Sequence, residues 1–303
     1  MTSRNIDRKK GHITVCICTF RRLALLERTL LSLRGQVGLG SMTYSIVVSD
    51  NDSGQSGQAV VEKFSSSCSL PVVYVCEPVQ NIALARNRAL AASEGEFIAF
   101  IDDDEFPQDD WLSKMVGVCN SYGAAGVLGP VRPHFETPPP KWIIAGGFCE
   151  RPEHPTGRVM DWEESRTGNL LFRSSILDGE DPVFLPEFGT GGEDKDFFQR
   201  MGKRGHVFRW CSEGAVYETV PPDRWKRGYM LRRAMLRGKN ILKHPGGRLK
   251  LIGQSLIAAP IYALIMPVTL IVGQHVFMKY CIRFCDHSGR LLAAVGLNTV
   301  NER

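Results

Sequence analysis

Four consecutive carboxylates, Asp102-Asp103-Asp104-Glu105, follow directly on an apolar run at 97–101. Acidic groups held this close repel one another unless they share a cation. After an apolar strand the economical reading is a divalent metal with hard oxygen ligands, Mg2+ or Mn2+, bound also to substrate phosphates. The plain alternative is a solvated acidic turn, disfavoured by the strand before the run and by Pro107 and Trp111 after it. The second group is Gly189-Thr190-Gly191-Gly192-Glu193-Asp194-Lys195-Asp196. It lacks the Gly-Lys-Ser/Thr ending of a P-loop, and its glycines suit close approach of the backbone to a ligand. Glu193 and Asp194 then occupy the first turn of a helix expected over 193–202, where the helix dipole helps keep carboxylates ionised. An ionised carboxylate in a cleft can serve as general base toward a hydroxyl nucleophile. Simple N-terminal helix charge would leave the same trace in a sequence.

The elements that must position these groups alternate in the manner of βαβ units. Apolar runs at 13–18, 44–49, 71–76 and 97–101 read as strands, with helical spacing between them at Leu23–Leu33 and 82–92 and after them at 109–118. That order implies a mainly parallel sheet. Thr19, Asp50 and the acidic run fall at strand carboxyl ends, where open α/β sheets bind their ligands. Residues 132–165, rich in Pro and aromatics, resemble a substrate-facing loop; a short strand is expected at 168–172 and a basic helix at 224–242.

Of 303 residues, 43% are hydrophobic and 23% charged, enough for a sizeable core and too apolar for wholesale disorder. The net charge of +5 is no argument for nucleic acid. It is unevenly spread: residues 200–250 hold fourteen Lys and Arg against Glu213, Glu218 and Asp223. Nine cysteines, an odd number without a C-x-x-C pair, argue against a zinc site or disulfide framework and for a reducing cytoplasm. The polar first ten residues do not read as a signal peptide. Residues 251–278 contain no Asp, Glu, Lys or Arg. About 20 apolar residues span a bilayer, so this stretch could cross one, re-enter it, lie on it or form a buried core helix. Its basic neighbours favour a membrane in positive-inside orientation. The expected division is a polar tail over 1–12, a catalytic domain over 13–242 split at 131, and a membrane-associating region over 243–303.

Five motifs in order carry a resemblance. They are Thr19-Phe20-Arg21-Arg22 after the first strand, Ser49-Asp50-Asn51-Asp52 after the second, Ala85-Arg86-Asn87, the acidic run with Trp111-Leu112, and Gly192-Glu193-Asp194. Together they make the chain resemble the inverting family 2 glycosyltransferases of GT-A fold over about residues 13–236, with Arg21 where Asn is more usual. The resemblance implies a GT-A-like nucleotide-sugar-binding α/β fold, a mainly parallel sheet flanked by helices, here followed by a C-terminal hydrophobic helical segment. It implies that Thr19, Asp50 and Arg86 hold the uracil and ribose of a UDP-sugar, with Arg21 and Asp103 also on the nucleotide-sugar and Asp102 facing the nucleoside. Asp104 would coordinate Mn2+ or Mg2+ on the pyrophosphate, Asp194 would be the base, and Glu193 would position acceptor or donor sugar. Glu218 stands where many relatives have a histidine metal ligand, so it is either a further ligand or an ordinary surface carboxylate. Arg and Lys of the basic helix would help neutralise the departing UDP.

The layout also resembles bacterial exopolysaccharide glycosyltransferases of the succinoglycan type. That implies a hexosyltransferase acting at the cell inner membrane from the cytoplasmic side, moving glucose from UDP-glucose to a polyprenyl-diphosphate-linked oligosaccharide alongside other polysaccharide-assembly enzymes. The processive Q-x-x-R-W signature is absent, which favours a single addition. Competing readings are a silent nucleotide-sugar-binding or scaffold subunit and a metal-dependent phosphohydrolase.

Overall fold

A computed structural model describes residues 8–189, 191–243 and 247–297. In chain order the elements are β1 (Lys9–Thr19), α1 (Leu23–Leu33), β2 (Thr43–Asp50), α2 (Gln58–Ser67), β3 (Val72–Cys76), α3 (Ile82–Ala91), β4 (Gly95–Asp102) and β5 (Glu105–Pro107). They continue with α4 (Trp111–Ser121), β6 (Gly126–Leu128), β7 (Val131–His134), α5 (Lys141–Gly146), β8 (Leu170–Arg173), α6 (Glu193–Lys203), β9 (Phe208–Trp210) and β10 (Val216–Thr219). The last three are α7 (Arg227–Asn240), α8 (Arg248–Val272) and α9 (Gln274–Ala294).

Seven strands form one sheet in the order β3-β2-β1-β4-β8-β6-β9, and β5, β10 and β7 form a small second one. The large sheet is parallel from β3 to β4, and β8 runs antiparallel between β4 and β6. Its strands read as continuous apolar runs because both faces are covered. Ile13, Val15 and Ile17 of β1 enter one core with Leu26, Leu30 and Trp111, while Cys16 enters the other with Ala83 and Phe100. The second core is dominated by Phe172, Phe184, Phe197, Phe198 and Phe208, which fasten α6 to the sheet. Register brings the strand ends level: Thr19 pairs with Asp50, and Cys18 with Asp102.

The chain separates into two compact units. The sheet unit comprises residues up to Pro133 with Arg151–Thr219; the helical unit comprises His134–Glu150 with residues from Val220 onward. This differs from the boundary expected at 242/243, because α7 packs with α9 and carries its share of the chain into the helical unit. β1 begins at Lys9, inside the expected polar tail, since its edge residues still pair with β4 at Gly95. The apolar stretch 251–278 is two helices, broken at Gly273, whose φ of 143° L side chains rarely adopt. Among the described residues, α8 is the one helix long and apolar enough to cross a membrane, with a mean hydropathy of 2.2 over its most apolar 18 residues.

Candidate active site

The site lies within the sheet unit, at the carboxyl ends of β1, β2 and β4 and the N-terminus of α6. β1 ends in Thr19, whose Oγ1 donates to Asp103 Oδ2 at 2.8 Å. The next residues turn sharply: Arg21 has φ of 56°, a left-handed conformation that Asn tolerates better than most residues. The turn sends Arg21 to Asp52 Oδ1 at 3.0 Å and Arg22 to Asp103 and Asp104 at 3.0 and 3.2 Å. Arg21 holds the Asp52 carboxyl down at about 2. Asp50 has no exposed surface, and its carboxylate accepts from the backbone of Asp52 and Gly57 and from Tyr74 Oη. It braces the loop from behind, and Asp52 is the carboxylate joined to the exposed Arg21.

The acidic run is drawn inward. Asp103, Asp104 and Glu105 are buried, and Asp102 is half-buried. Burial raises Asp103 to about 6 despite Arg22 and Thr19. Burial and the adjacent Asp102 push Glu105 well above the carboxylate range; its Oε2 accepts from Asp102 N, and its Oε1 has no partner. β10 returns beside this run, with Glu218 opposite Glu105 and Thr219 N donating to Asp104 O. Glu218 is therefore no surface carboxylate: its side chain is 15% exposed and pairs with Arg151 at 2.5 Å. Asp102 is raised by burial and by the charges of Asp104 and Glu218, opposed by Arg86 and Arg151. Gly168 completes the enclosure, since a Cβ there would stand 3.0 Å from Glu105 Oε1 and 3.2 Å from Asp102 Oδ2.

Gly191 and Gly192, with φ of 126° and 103°, bend the chain into α6; Thr190 lies outside the described residues. Glu193 is buried in an ion pair with Arg86, and its Oε2 has no partner. Burial raises its carboxyl, with Arg86 opposing. Desolvation is the largest influence on it and acts against the ionised form. Asp194 is half-buried and accepts from Lys195 N at 2.8 Å. Arg86 joins the two halves, because Glu193, Asp102 and Asp194 all act on its guanidinium.

The carboxylates are hard oxygen donors that repel one another, and such a set suits Mg2+ or Mn2+. Among the described residues no three His, Cys, Asp or Glu side chains stand grouped to hold a metal ion. Mg2+ commonly takes one or two carboxylates and completes its shell with substrate phosphates and water, so the residues present fit that mode.

Beside Asp102 lies a cavity of about 210 Å3, lined by Arg151, His154, Arg166, Gly168, Asn169 and Trp210 among others. The His154 and Trp210 rings meet edge to face at 5.0 Å. The arginines of the basic helix, Arg224, Arg232 and Arg233, belong to the helical unit. Among the described residues of the sheet unit, Arg22 stands against Asp103 and Asp104, Arg86 against Glu193 and Arg151 against Glu218. Sequence reading gave Arg22 and Arg151 no role. Arg22 was visible within the turn motif, whereas Arg151 follows an irregular stretch without periodicity.

The model of the family described as "Glycosyl transferase family 2" matches residues 14–168. The succinoglycan biosynthesis protein ExoM of Rhizobium meliloti (strain 1021) is 36% identical over 75% of this chain and 73% of its own. Among solved structures, S. aureus TarS 1–349 in complex with UDP-GlcNAc is similar with a TM-score of 0.54 and 17% identity, over 95% of this chain and 93% of that one. Against a longer TarS chain, this one spans 40%. The mannosyltransferase PcManGT of Pyrobaculum calidifontis, in complex with GDP-Man and Mn2+, has a TM-score of 0.59 and 17% identity over 93% of this chain and 86% of that one. The mixed, mainly parallel sheet flanked by helices is of the GT-A type. The chain belongs to glycosyl transferase family 2 and is an enzyme of the hexosyltransferase class.

Proposed function

We propose that the enzyme moves a glucosyl group from UDP-glucose onto a polyprenyl-diphosphate-linked oligosaccharide, inverting the anomeric centre. The setting is exopolysaccharide repeat-unit assembly at the cytoplasmic face of the inner membrane. The observation that carries this reading is Arg86, whose one guanidinium is acted on by Asp102 of the acidic run and by Glu193 and Asp194 of α6. The acidic run proposed to serve the diphosphate and the α6 carboxylate proposed as base thereby share the field of one buried cation, which is paired to Glu193. Likeness to a succinoglycan biosynthesis protein supports the polysaccharide setting, and the TarS complex with UDP-GlcNAc supports a uridine diphosphate donor.

In this reading the nucleotide lies along Thr19, Arg21 and Asp52, with Asp50 bracing the loop and Asp103 fixing Thr19 and Arg22. Asp104 and Glu218, with Asp102 beside them, would hold Mg2+ or Mn2+, which supplies positive charge to the pyrophosphate. Arg22 and Arg151 add fixed positive charge at the same edge. Asp194 takes the proton of the acceptor hydroxyl, whose oxygen bonds the anomeric carbon as the bond to UDP breaks on the opposite face. Glu193, clamped by Arg86, fixes the first turn of α6 and so the aim of Asp194. The cavity beside Asp102 receives the acceptor sugar, with Trp210 and His154 as its ring surface and Arg151 and Arg166 as donors. α8 brings the enzyme to its lipid-linked acceptor.

A screen of labelled sugar nucleotides with membranes from cells making the protein tests this. The expected result is Mg2+- or Mn2+-dependent passage of label from UDP-glucose into lipid-extractable product. Consumption of the donor without acceptor would favour a phosphohydrolase, and UDP binding without transfer would favour a silent subunit.

A further inference from the structure

We infer that α8 does not cross the bilayer but lies in its plane, with α9 behind it at headgroup level; this rests on the membrane setting proposed above. Only one narrow seam of α8 is covered. Ser255, Ala259, Tyr262, Met266 and Thr269 recur at spacings of three and four and are buried or half-buried. Leu256, Ile257, Leu264, Val268 and Ile271, around the rest of the helix, are each more than half exposed. The seam is filled by α9, running antiparallel. His287 Nδ1 meets Ser255 Oγ at 3.0 Å, Arg283 donates to Tyr262 Oη at 3.2 Å, and Cys281 Sγ meets Met266 Sδ at 3.3 Å.

Length does not forbid a crossing. Twenty-five residues rise about 37 Å, against a hydrocarbon core of about 30 Å. What forbids it is the partner helix. Lys279, Arg283, Asp286 and Arg290, spaced by four, three and four, form one charged stripe along α9. Tyr262 is the fifteenth of the 25 residues of α8, so a crossing helix would carry the Arg283 guanidinium to the bilayer centre, where charge is costly. Asp286 is also paired to Arg237 of α7 at 2.5 Å. Gly238 of α7 abuts the Asp286 carbonyl and Gly289 of α9 abuts the Met235 carbonyl, with no room for a Cβ. A transmembrane α8 would thus draw α9 and the basic α7 after it.

Lying flat, the same stack is amphipathic by layers. Packed helices stand about 8–10 Å apart, which sets α8 among the outer acyl carbons and α9 among headgroups. From Val220 onward the sequence has fourteen Lys and Arg against three Asp and Glu, a charge that complements anionic lipid and opposes a second copy of the same surface.

The test uses the full chain in inside-out and right-side-out inner-membrane vesicles, treated with a membrane-impermeant amine reagent and read by mass spectrometry at Lys250 and Lys279. Both are exposed, one at the start of α8 and one just past the Gly273 turn. The in-plane arrangement labels both from the cytoplasmic face and neither from the other. Lys279 reached only from the periplasmic face, or from neither, would overturn it while leaving membrane attachment intact. Recovery of the chain as a soluble monomer or dimer, absent from vesicles, would overturn it together with the membrane setting. As a second measurement, Ile257→Lys with Leu264→Lys should cut binding to vesicles rich in phosphatidylglycerol at least tenfold with UDP binding unchanged; undiminished vesicle binding would contradict the role of this face.

Discussion

A carboxylate taken out of water needs a proton or a cation, and the residues from Asp102 to Glu105 meet that need differently. Burial raises the Glu105 carboxyl well above its ordinary value, and Asp103 is held by Thr19 and Arg22. Asp104 and Glu218 are met by arginines, Arg22 and Arg151. Asp104→Ala is expected to abolish Mn2+- or Mg2+-supported transfer while circular dichroism shows an intact fold; full activity of that variant in EDTA would contradict its role. The acidic run and the Glu-Asp pair of α6 were legible in the sequence because strands end in one and a helix starts at the other. Which acid does what was not, because burial decides it. Asp50, within the motif, is buried and hydrogen-bonded to its own loop, while Asp52, two residues on, pairs with Arg21.

At the scale of elements, the strand order was readable from periodicity, but what ties strands to helices was not. Asn169 has φ of 58° and is buried. Its amide donates to the carbonyls of Pro130 and Gly214, and its Oδ1 accepts from Trp111 Nε1. It holds α4 and the β6–β7 and β9–β10 connections to the start of β8. Nothing in a single sequence distinguishes this Asn from a turn residue. Asn169→Ala leaves three buried groups unpaired at about 1–3 kcal/mol each, so denaturant unfolding should show a loss on the order of 3 kcal/mol or more. β1 carries a second such group. His12 is buried between Thr43 and Ser45, and desolvation, then the charge of Lys9, lowers its pKa, with Glu94 opposing. The neutral ring is thus favoured in the folded state. Its contribution to stability is present above the ordinary value of 6.5 and is lost as the pH falls through and below it. His12→Gln should flatten that part of the melting-temperature profile between pH 5 and 8; an unchanged profile would assign the slope elsewhere.

At the scale of the whole molecule, composition foretold a greasy C-terminal stretch, and only packing divides it at Gly273 and joins it to α7. A hairpin with more than half-exposed Leu and Ile side chains should hold membranes chiefly by apolar burial, worth about 25 cal/mol per Å2 and insensitive to salt. Washing membranes at 1 M salt, roughly a 3 Å Debye length, should therefore leave most of the protein bound; release in that wash would mean that the basic residues alone hold it. In the proposed mechanism Asp194 removes the acceptor proton while the acidic run serves the diphosphate. The most direct test is Asp194→Asn in detergent-purified enzyme, comparing kcat with UDP affinity. The expected result is a fall in kcat of about 10²–10⁴-fold, the usual effect of losing a general base, with UDP affinity within twofold of the parent. Normal turnover with weakened UDP binding would contradict it.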